Sequence, residues 1–417
     1  MKNYINTALK ILTSVFSDGK YSNMAIYGEG TNDMTTKLVL GVLEQNIKIE
    51  YILNSLFDKK PKTPIFILLK IGAYALTNLT DVPDYAIVSE CVEVAKMNGK
   101  EGASGFVNAV LKKISRKEFI LPSEADANYL SVTYSKPQWF IDRMIAEYGQ
   151  ETVVSMLQEK ECNLEHLRIN RKFTTVTAIK NKLMQDGIEA NESSVGGLTA
   201  RAVAEVKALF DAGLVTFQSP SSMLAVKALN PEDGSRILDL CSAPGGKAVY
   251  MAELCPNSKI VAVDLYRHRV DLIHKYLRRM QTFNIAPVQL DASKYNVDWQ
   301  DKFDFVLLDA PCSCFGTYRK HPDVFLSRSE DEIKAVNKTQ KLLADQAVKY
   351  VKVGGVLLYS TCTLFDEENG KTVDYILSKG GFKLETMEIP FENDGKLQIL
   401  PHGEWDGFYM ARFRRYE

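Results

Sequence analysis

The chain has 417 residues, of which 46% are hydrophobic and 25% charged, and this composition is typical of a globular protein with roughly two to three domains. These figures exclude a disordered chain, a collagen-like fibre and a small disulfide-stapled domain. The 51 Lys and Arg residues nearly balance the 52 Asp and Glu residues, so the net charge of −1 argues against a binder of bulk nucleic acid but allows local basic patches.

Neither a membrane span nor a metal site is predicted. The longest apolar stretch, residues 64–79, is shorter than the about 20 residues that a spanning helix needs, and Lys70 lies in its middle. The N-terminal segment has polar residues throughout and predicts an amphipathic helix rather than a signal peptide. The seven cysteines include no C-x-x-C motif, which disfavours a disulfide framework and a zinc site. We therefore expect a cytoplasmic protein.

The first two segments differ in their predicted structure. Residues 1–125 predict an all-α domain: apolar residues recur with helical spacing after Asp84, which is placed to cap that helix, and again from Phe106 to Ile114. Residues 126–230 predict a small α+β connecting module, with a short strand within residues 166–173 and a helix that ends at Gly187. A turn-forming run at residues 230–234 marks the next boundary.

Residues 231–417 alternate between strand and helix patterns. Five short runs predict strands, at residues 237–240, 260–263, 286–289, 305–308 and 356–359, and two C-terminal segments add two more. Helices are predicted at residues 331–351 and 367–377. This alternation predicts an α/β fold in which helices cover both faces of a mostly parallel, seven-stranded sheet.

A glycine turn follows the first of these strands, in the sequence ILDLCSAPGGK at residues 237–247. Gly245 and Gly246 let a ligand approach the backbone, and the helix that follows offers free N–H groups. The motif is not G-x-G-x-x-G, so a dinucleotide is not expected. Asp264 ends the next strand, where a carboxylate accepts hydrogen bonds from ribose hydroxyls, and Asp291 follows the third. This series predicts a nucleoside with little or no phosphate, which S-adenosylmethionine fits, although any one of these acids alone is as well explained as a helix cap.

Two cysteines follow the fourth and fifth strands. Cys312 ends the sequence Asp309-Ala-Pro-Cys312, and Cys362 comes directly after the fifth strand, so both thiols face the edge that carries the glycine turn. A thiolate that adds to C6 of a pyrimidine makes C5 nucleophilic towards a sulfonium methyl group, and loss of the C5 proton then expels the thiol. Asp309 is placed to hold the N3 and 4-amino edge of a cytosine. The spacing leaves open which thiol attacks, and it offers no clear base for the C5 proton.

These motifs resemble the catalytic domain of the RNA cytosine-5 methyltransferases of the Nop2/Sun/RsmB type. The matching residues are 239–247, 309–312, Thr361-Cys362 and Glu367-Glu368-Asn369. The resemblance implies a class I, Rossmann-like methyltransferase in which Cys362 is the nucleophile and Cys312 assists product release. It further implies that the residues contacting S-adenosylmethionine or the target base are Cys241, Ser242, Ala243, Pro244, Gly245, Gly246, Lys247, Asp264, Asp291 and Asp309.

The rest of the chain extends the resemblance. Residues 68–96 and 105–114 are similar to the NusB-like RNA-binding domain of the bacterial RsmB branch, and residues 167–173 and 214–226 to its connecting module. That branch modifies small-subunit ribosomal RNA, which implies 16S RNA, before full subunit assembly, as the partner of a monomeric enzyme. Two positions depart from the family pattern. Cys314 replaces a small Gly or Ala, and Phe325-Leu326 replaces a common Lys-Trp pair.

Basic residues recur around the predicted site and predict an RNA-binding surface, with solvated helix faces as the alternative. They are Arg267, His268, Arg269, Lys275, Arg278, Arg279, Arg319, Lys320, His321, Arg412, Arg414 and Arg415. Tyr318, beside Arg319, is placed either to stack on a splayed base or to be partly buried.

Three other functions are compatible with part of the sequence. A cytosine-5 methyltransferase of another RNA, such as tRNA, would carry the same motifs. An exocyclic-amine methyltransferase would use an Asn/Asp-Pro-Pro-Tyr turn and no thiol, which the sequence at residues 309–312 argues against. A non-catalytic ribosome-assembly factor would not need Cys312 and Cys362.

Overall fold

The computed structural model describes residues 1–29, 33–159 and 164–417, so Cys162 lies outside the described residues. The chain divides into two compact units. Unit 1 comprises Met1–Gln158 with Tyr318–Arg328, and unit 2 comprises Glu159–Thr317 with Ser329–Glu417.

Within the described residues, helices alone precede the first strand, and strands and helices mix after it. The helices are α1 (Lys2–Asp18), α2 (Ser22–Gly28), α3 (Asp33–Glu44), α4 (Asn46–Asn54), α5 (Thr63–Asn78), α6 (Asp84–Met97), α7 (Ser104–Ser115), α8 (Tyr129–Tyr134), α9 (Gln138–Tyr148), α10 (Gln150–Gln158), α11 (Val176–Gln185), α12 (Ala204–Asp211), α13 (Pro220–Leu229), α14 (Gly246–Leu254), α15 (Arg267–Met280), α16 (Val324–Ser327), α17 (Glu330–Tyr350) and α18 (Gly370–Leu377). The strands are β1 (Glu165–Ile169), β2 (Ala190–Glu192), β3 (Leu198–Ala200), β4 (Val215–Phe217), β5 (Arg236–Asp239), β6 (Lys259–Asp264), β7 (Ile285–Gln289), β8 (Phe303–Asp309), β9 (Val351–Thr361), β10 (Phe382–Leu384), β11 (Lys396–Ile399) and β12 (Phe408–Arg415).

Unit 1 is helical, as the sequence predicts, and α5 lies at the centre of its apolar core. The long apolar stretch is therefore a buried core helix. Lys70 lies within it and is 3% exposed. Its ammonium donates a hydrogen bond to Asn46 Oδ1 at 2.7 Å and pairs with Glu50, which compensates a charge that burial disfavours. None of the described helices combines the length and the apolar character that crossing a membrane requires.

One predicted helix cap in unit 1 is wrong. Pro83 occupies the N-cap position of α6, and Asp84 is the first helical residue, without a capping hydrogen bond. Asp84 Oδ2 instead accepts a hydrogen bond from Ser115 Oγ at 2.6 Å, at the end of α7. The carboxylate therefore links two neighbouring helices, a tertiary contact that local sequence does not reveal.

Unit 2 begins with a small antiparallel sheet in the order β2-β3-β1-β4. The predicted strand corresponds to β1, and the predicted helix to α11, with Gly187 in the left-handed conformation (φ 74°) just beyond its end. The other three strands were not predicted. Each has three residues, too few for an alternating pattern to stand out.

The large sheet of unit 2 has the order β10-β12-β9-β8-β5-β6-β7, with β11 paired to β12. The first five predicted strands, β5 to β9, are parallel and the two C-terminal ones are present, so the predicted seven-strand path is confirmed. The four-residue strand β11 was not predicted. Buried apolar clusters lie on both faces of this sheet.

The parallel strands bring three segments to one edge of the large sheet. β5 and β9 flank β8, and the register pairs Asp239 with Leu307 and Asp309 with Ser360. The glycine turn after β5 and the two cysteine segments after β8 and β9 therefore leave the sheet side by side. This is the edge at which open α/β sheets bind ligands.

Candidate active site

The two predicted thiols lie next to each other in unit 2. Cys312 Sγ is 3.2 Å from Cys362 Sγ, close enough for a hydrogen bond between the two thiols. Cys312 is buried and Cys362 is partly buried. The register between β8 and β9 accounts for this contact, since each cysteine follows its strand by one to three residues.

A buried carboxylate connects the two cysteine loops. Glu368 accepts hydrogen bonds from Ser313 N at 2.9 Å, from Gln340 Nε2 at 3.0 Å and from Thr363 Oγ1 at 3.2 Å. Ser313 directly follows Cys312, and Thr363 directly follows Cys362. One fully buried side chain therefore holds the residue that follows each thiol.

Asn369 holds the same region from the next position in the chain. Its Oδ1 accepts a hydrogen bond from Thr361 Oγ1 at 2.6 Å, and its Nδ2 donates to Thr363 O at 3.3 Å. The sequence motif contains Glu368 and Asn369 but does not indicate what they do. Both residues position the Cys362 loop, and only the three-dimensional contacts reveal it.

An ion pair lies at the end of β8. Lys247 Nζ is 2.6 Å from Asp309 Oδ2, and Ser360 Oγ donates to Asp309 Oδ1 at 2.7 Å. Burial lowers the pKa of Lys247, but the charge and hydrogen bond of Asp309 outweigh it, so that this pKa lies above its ordinary value. Cys362 also acts on the Lys247 ammonium electrostatically. A positive charge near a thiol favours its thiolate form.

Both central thiols resist ionisation in this arrangement. Hydrogen bonds with Cys314 and Cys362, together with burial, raise the pKa of Cys312 well above its ordinary value. The hydrogen bond from Cys312 lowers the pKa of Cys362, but Cys314, burial and the charge of Asp309 raise it by more. At neutral pH both side chains are therefore thiols in the free protein.

A pocket of about 260 Å³ lies at the Lys247–Asp309 ion pair. Its lining residues are Phe217, Gln218, Ser219, Ser222, Asp239, Cys241, Ser242, Ala243, Pro244, Gly246, Lys247 and Asp309. It thus contains most of the residues predicted to contact the methyl donor, together with Gln218 and Asp239, which that prediction omitted. The position of Asp239 at the end of the first parallel strand was the sequence signal for including it.

Several buried polar atoms that line this pocket form no hydrogen bond with the described residues. Both oxygens of the buried Asp239 carboxylate, both polar atoms of the Gln218 amide and Ser242 Oγ lack a hydrogen-bond partner among the described residues. Burial raises the pKa of Asp239 to about 7. Buried polar atoms of this kind are normally satisfied, so the pocket suits a ligand rich in donors and without a phosphate. The donor-rich nucleoside and amino-acid parts of S-adenosylmethionine meet that description.

Two predicted acids lie outside the pocket lining. Asp264 supports the glycine turn from the next strand: its Oδ2 accepts from Ala243 N at 3.3 Å and lies 3.4 Å from Arg269 Nε. Asp291 Oδ1 accepts from Ser293 Oγ at 2.6 Å and from Ser293 N at 3.1 Å, which lowers the pKa of Asp291.

Gly245 has a φ of 105°, which explains why the turn needs a glycine there.

Several of the residues predicted to form a basic surface instead make contacts inside unit 2. Arg412 and Arg414 both pair with Glu385, at 2.9 and 3.0 Å. The Arg279 guanidinium lies 3.6 Å from the ring centre of Phe210, and Arg415 pairs with Asp301. These four side chains fix the structure of unit 2 rather than forming a free patch.

Tyr318 is buried within unit 1, which was the alternative to base stacking. It is 4% exposed, its hydroxyl donates to Met156 O at 3.3 Å, and its ring packs against Phe140 and Phe325. Phe325, one of the two departures from the family pattern, thus belongs to an aromatic cluster.

Comparison with known proteins agrees with this geometry. Residues 226–414 match the family of 16S rRNA methyltransferases RsmB/F, residues 6–116 the NusB family, and residues 136–200 the RsmF/B-like, ferredoxin-like methyltransferase domain. The chain is 31% identical to the probable ribosomal RNA small subunit methyltransferase B of Bacillus subtilis, over 98% of each chain. It is also 31% identical to ribosomal RNA small subunit methyltransferase B of Pectobacterium atrosepticum, again over 98% of each. The chain belongs to this methyltransferase family. The predicted family is confirmed, and membership supports S-adenosylmethionine as the cofactor.

Solved structures confirm the predicted fold class. PH0851 superimposes with a TM-score of 0.85 and 23% identity, over 100% of this chain and 99% of the other. NSun6 from Pyrococcus horikoshii, determined with SFG, gives a TM-score of 0.61 and 22% identity, over 67% of this chain and 98% of that one.

Proposed function

We propose that this chain transfers a methyl group from S-adenosylmethionine to C5 of a cytosine in 16S ribosomal RNA. The single observation that carries the proposal is the 3.2 Å approach of the Cys312 and Cys362 sulfurs beside the Lys247–Asp309 ion pair. A methyltransferase acting on an exocyclic amine needs no thiol, so two converging thiols favour attack on the pyrimidine ring. The names of the relatives favour small-subunit ribosomal RNA over tRNA.

The pocket beside the glycine turn is the proposed site of the methyl donor. Residues 241–244, 246 and 247 line it, and Asp239 and Gln218 offer unpaired polar atoms to the ligand. Asp264 holds the turn in place through Ala243, and Asp291 follows the neighbouring strand β7. When bound, S-adenosylmethionine supplies an electrophilic methyl group on a sulfonium sulfur.

Cys362 is the proposed nucleophile, and the ion pair controls its ionisation. The Asp309 charge raises the pKa of Cys362, whereas the Lys247 ammonium favours the thiolate. A cytosine whose 4-amino group donates to Asp309 engages that carboxylate, and the ammonium charge is then less fully neutralised. Binding of the base thereby promotes addition of the Cys362 sulfur to C6, and Lys247 and Asp309 hold the base edge on which charge develops.

Cys312 is the proposed partner for the elimination step. Loss of the C5 proton and departure of the Cys362 sulfur from C6 restore the aromatic ring. Cys312 lies 3.2 Å from the sulfur that departs, so a hydrogen bond from its thiol stabilises the leaving thiolate. Removing this donor slows release of the methylated product without preventing the covalent addition that precedes it.

The proposal also covers the rest of the chain. The NusB-like residues of unit 1 bind the ribosomal RNA, before full subunit assembly, and the enzyme works as a monomer. The alternatives are a tRNA substrate and an assembly role without catalysis.

Nucleoside analysis tests the proposal directly. The full-length protein is incubated with unmodified 16S ribosomal RNA and isotopically labelled S-adenosylmethionine, and the digested nucleosides are analysed by mass spectrometry. We expect labelled 5-methylcytidine with the wild-type protein and none with Cys362→Ala. Label on the exocyclic nitrogen would contradict the proposal, as would label on tRNA alone or no transfer by a folded wild-type protein.

A further inference from the structure

A third thiol lies beside the two proposed catalytic thiols. Cys314 Sγ is 3.9 Å from Cys312 Sγ, and the sulfurs of Cys312, Cys314 and Cys362 all lie within 4.8 Å of one another. These three residues form a thiol cluster. The sequence did not predict it, because the usual zinc spacing is C-x-x-C, whereas in the cluster a C-x-C loop meets a cysteine that follows another strand.

The spacing of the thiol cluster matches that of metal-bound thiolates. A zinc ion bound tetrahedrally at about 2.3 Å from each sulfur separates neighbouring sulfurs by about 3.8 Å. The Cys362 and Cys314 sulfurs lie 3.2 and 3.9 Å from the Cys312 sulfur, and all three sulfurs lie within 4.8 Å of one another. These distances bracket the value for a bound zinc ion. Small side-chain rotations are therefore sufficient to bring three sulfurs around one ion.

The backbone holds Cys314 in this position. Its φ of 65° lies in the left-handed region, which a non-glycine residue rarely adopts. Its thiol also donates to Cys312 O at 3.3 Å, which keeps the C-x-C loop folded back on itself. The neighbouring Gly316 N donates to Cys362 O at 2.9 Å and joins this loop to the other cysteine segment. The cluster is thus preorganised by main-chain contacts.

We propose that the thiol cluster is a binding site for one thiophilic metal ion of the Zn²⁺ type. Three sulfur ligands select soft or borderline ions such as zinc over magnesium or calcium. Cys314 and Cys362 are partly exposed, which gives the ion a path to the site and leaves a fourth position open to water. Each thiol releases its proton as it binds the ion.

Metal binding at this site inhibits the enzyme, because it captures Cys362. An ion bound to the Cys362 sulfur prevents this nucleophile from attacking the base. The metal ion and the target RNA therefore exclude each other. This consequence for activity rests on the proposed function, whereas binding of the ion does not. Cys314 is neither the nucleophile nor the partner in elimination, although it raises the pKa of both thiols, so metal inhibition of a Cys314 variant is compared with that variant's own metal-free activity.

A cadmium titration tests the site. Full-length protein, reduced with a phosphine that does not compete for metal, is titrated with Cd²⁺ while the ultraviolet thiolate-to-metal charge-transfer absorbance is recorded. The test variant is Cys314→Gly, since glycine suits a φ of 65°. Cys314→Ala is the second variant, and Cys255→Ala, which removes a buried thiol outside the cluster, is the control.

The expected results are specific to Cys314. The wild-type protein and Cys255→Ala bind one Cd²⁺ with the charge-transfer band, and both Cys314 variants lose at least tenfold in affinity for Cd²⁺ and for competing Zn²⁺. Relative to each protein's own metal-free methylation activity, at least ten times more Zn²⁺ is needed to inhibit the two Cys314 variants than the wild-type protein. Equal affinities in the wild-type protein and a folded Cys314 variant would overturn the proposal, even if no methylation were observed in any of them.

Discussion

Ser313 N donates a hydrogen bond of 2.9 Å to Glu368, and both residues are fully buried. This contact links the residue after Cys312 to a side chain that also binds Thr363, the residue after Cys362. The separation of the two thiols therefore depends on a carboxylate that touches neither of them. Glu368 is a positioning residue, and its effects on stability and on catalysis can be measured separately.

Replacing Glu368 tests that role. In Glu368→Gln one acceptor oxygen becomes a donor that faces other donors, and losing a charge-assisted hydrogen bond costs about 1.5–3 kcal/mol. We expect a lower melting temperature and a reduced kcat, with donor affinity unchanged in calorimetry. Glu367→Gln, which changes the preceding and partly exposed residue, is the matched control. A folded Glu368→Gln protein with normal kcat would show that the contact is dispensable.

The raised pKa values of the thiols predict a pH dependence. A thiol whose pKa lies well above its ordinary value is protonated at neutral pH, and its thiolate fraction grows about tenfold with each pH unit until the pKa is reached. We expect alkylation of Cys362 by iodoacetamide in the free protein to be slow at neutral pH and to accelerate steadily as the solution is made alkaline, as followed by mass spectrometry. Single-turnover methylation should rise over the same range. Alkylation that is already fast and independent of pH near neutrality would contradict the raised pKa.

Asp264 is expected to affect binding of the methyl donor. Its carboxylate supports the glycine turn through Ala243 N and Arg269, and in the proposed complex it accepts hydrogen bonds from the ribose hydroxyls of the methyl donor. Losing those charge-assisted hydrogen bonds to the donor in Asp264→Ala costs about 1.5–3 kcal/mol, or roughly tenfold to a hundredfold in affinity. Calorimetry with S-adenosylmethionine measures this loss. Asp271→Ala, an exposed acid on α15, serves as the control. Unchanged affinity in a folded Asp264→Ala protein would remove Asp264 from the cofactor site.

The NusB-like part of the chain is expected to contribute to RNA binding through exposed charges at the end of α7. Lys112, Lys113, Arg116 and Lys117 are all exposed there. Changing them to Gln should weaken RNA binding and reduce the slope of log affinity against log salt by roughly 0.7–0.9 for each phosphate that is no longer neutralised. The control neutralises an equal number of exposed lysines elsewhere in unit 1, at Lys10, Lys20, Lys37 and Lys59. An equal loss of slope in both proteins would mean that net charge, rather than this surface, binds the RNA.

The sequence was sufficient to predict those features that show a periodic pattern or a recognisable motif. The five parallel strands, the order of the ligand-bearing loops and the meeting of Cys312 with Cys362 follow from strand alternation and from the rule that parallel strands end at one edge. The strand β11 was missed because its sequence, KLQI, lacks the continuous apolar run that marks a buried parallel strand.

Contacts between distant residues account for the remaining differences. The basic residues near the C-terminus suggested an RNA surface, but Arg412 and Arg414 pair with Glu385, an acid that the sequence alone cannot match to them. Tyr318 is buried by Phe140, which is far from it in the chain. The thiol cluster was missed for a different reason, since zinc sites were sought by their C-x-x-C spacing, whereas Cys312 and Cys314 form a C-x-C loop.

In the proposed mechanism, the order of the chemical events assigns different roles to Cys312 and Cys362. Cys362 must add to the base before the methyl group is transferred, so Cys362→Ala should form no covalent complex with RNA. Cys312 assists only the later elimination, so Cys312→Ala should still add to the base and transfer the methyl group but release the product slowly.

A denaturing gel of protein incubated with 16S ribosomal RNA and S-adenosylmethionine measures this difference most directly. We predict a stable protein–RNA band with Cys312→Ala, none with Cys362→Ala and none with the double variant. A band that appears only when Cys362 is replaced would reverse the roles of the two cysteines, and the absence of a band in every variant would contradict covalent catalysis.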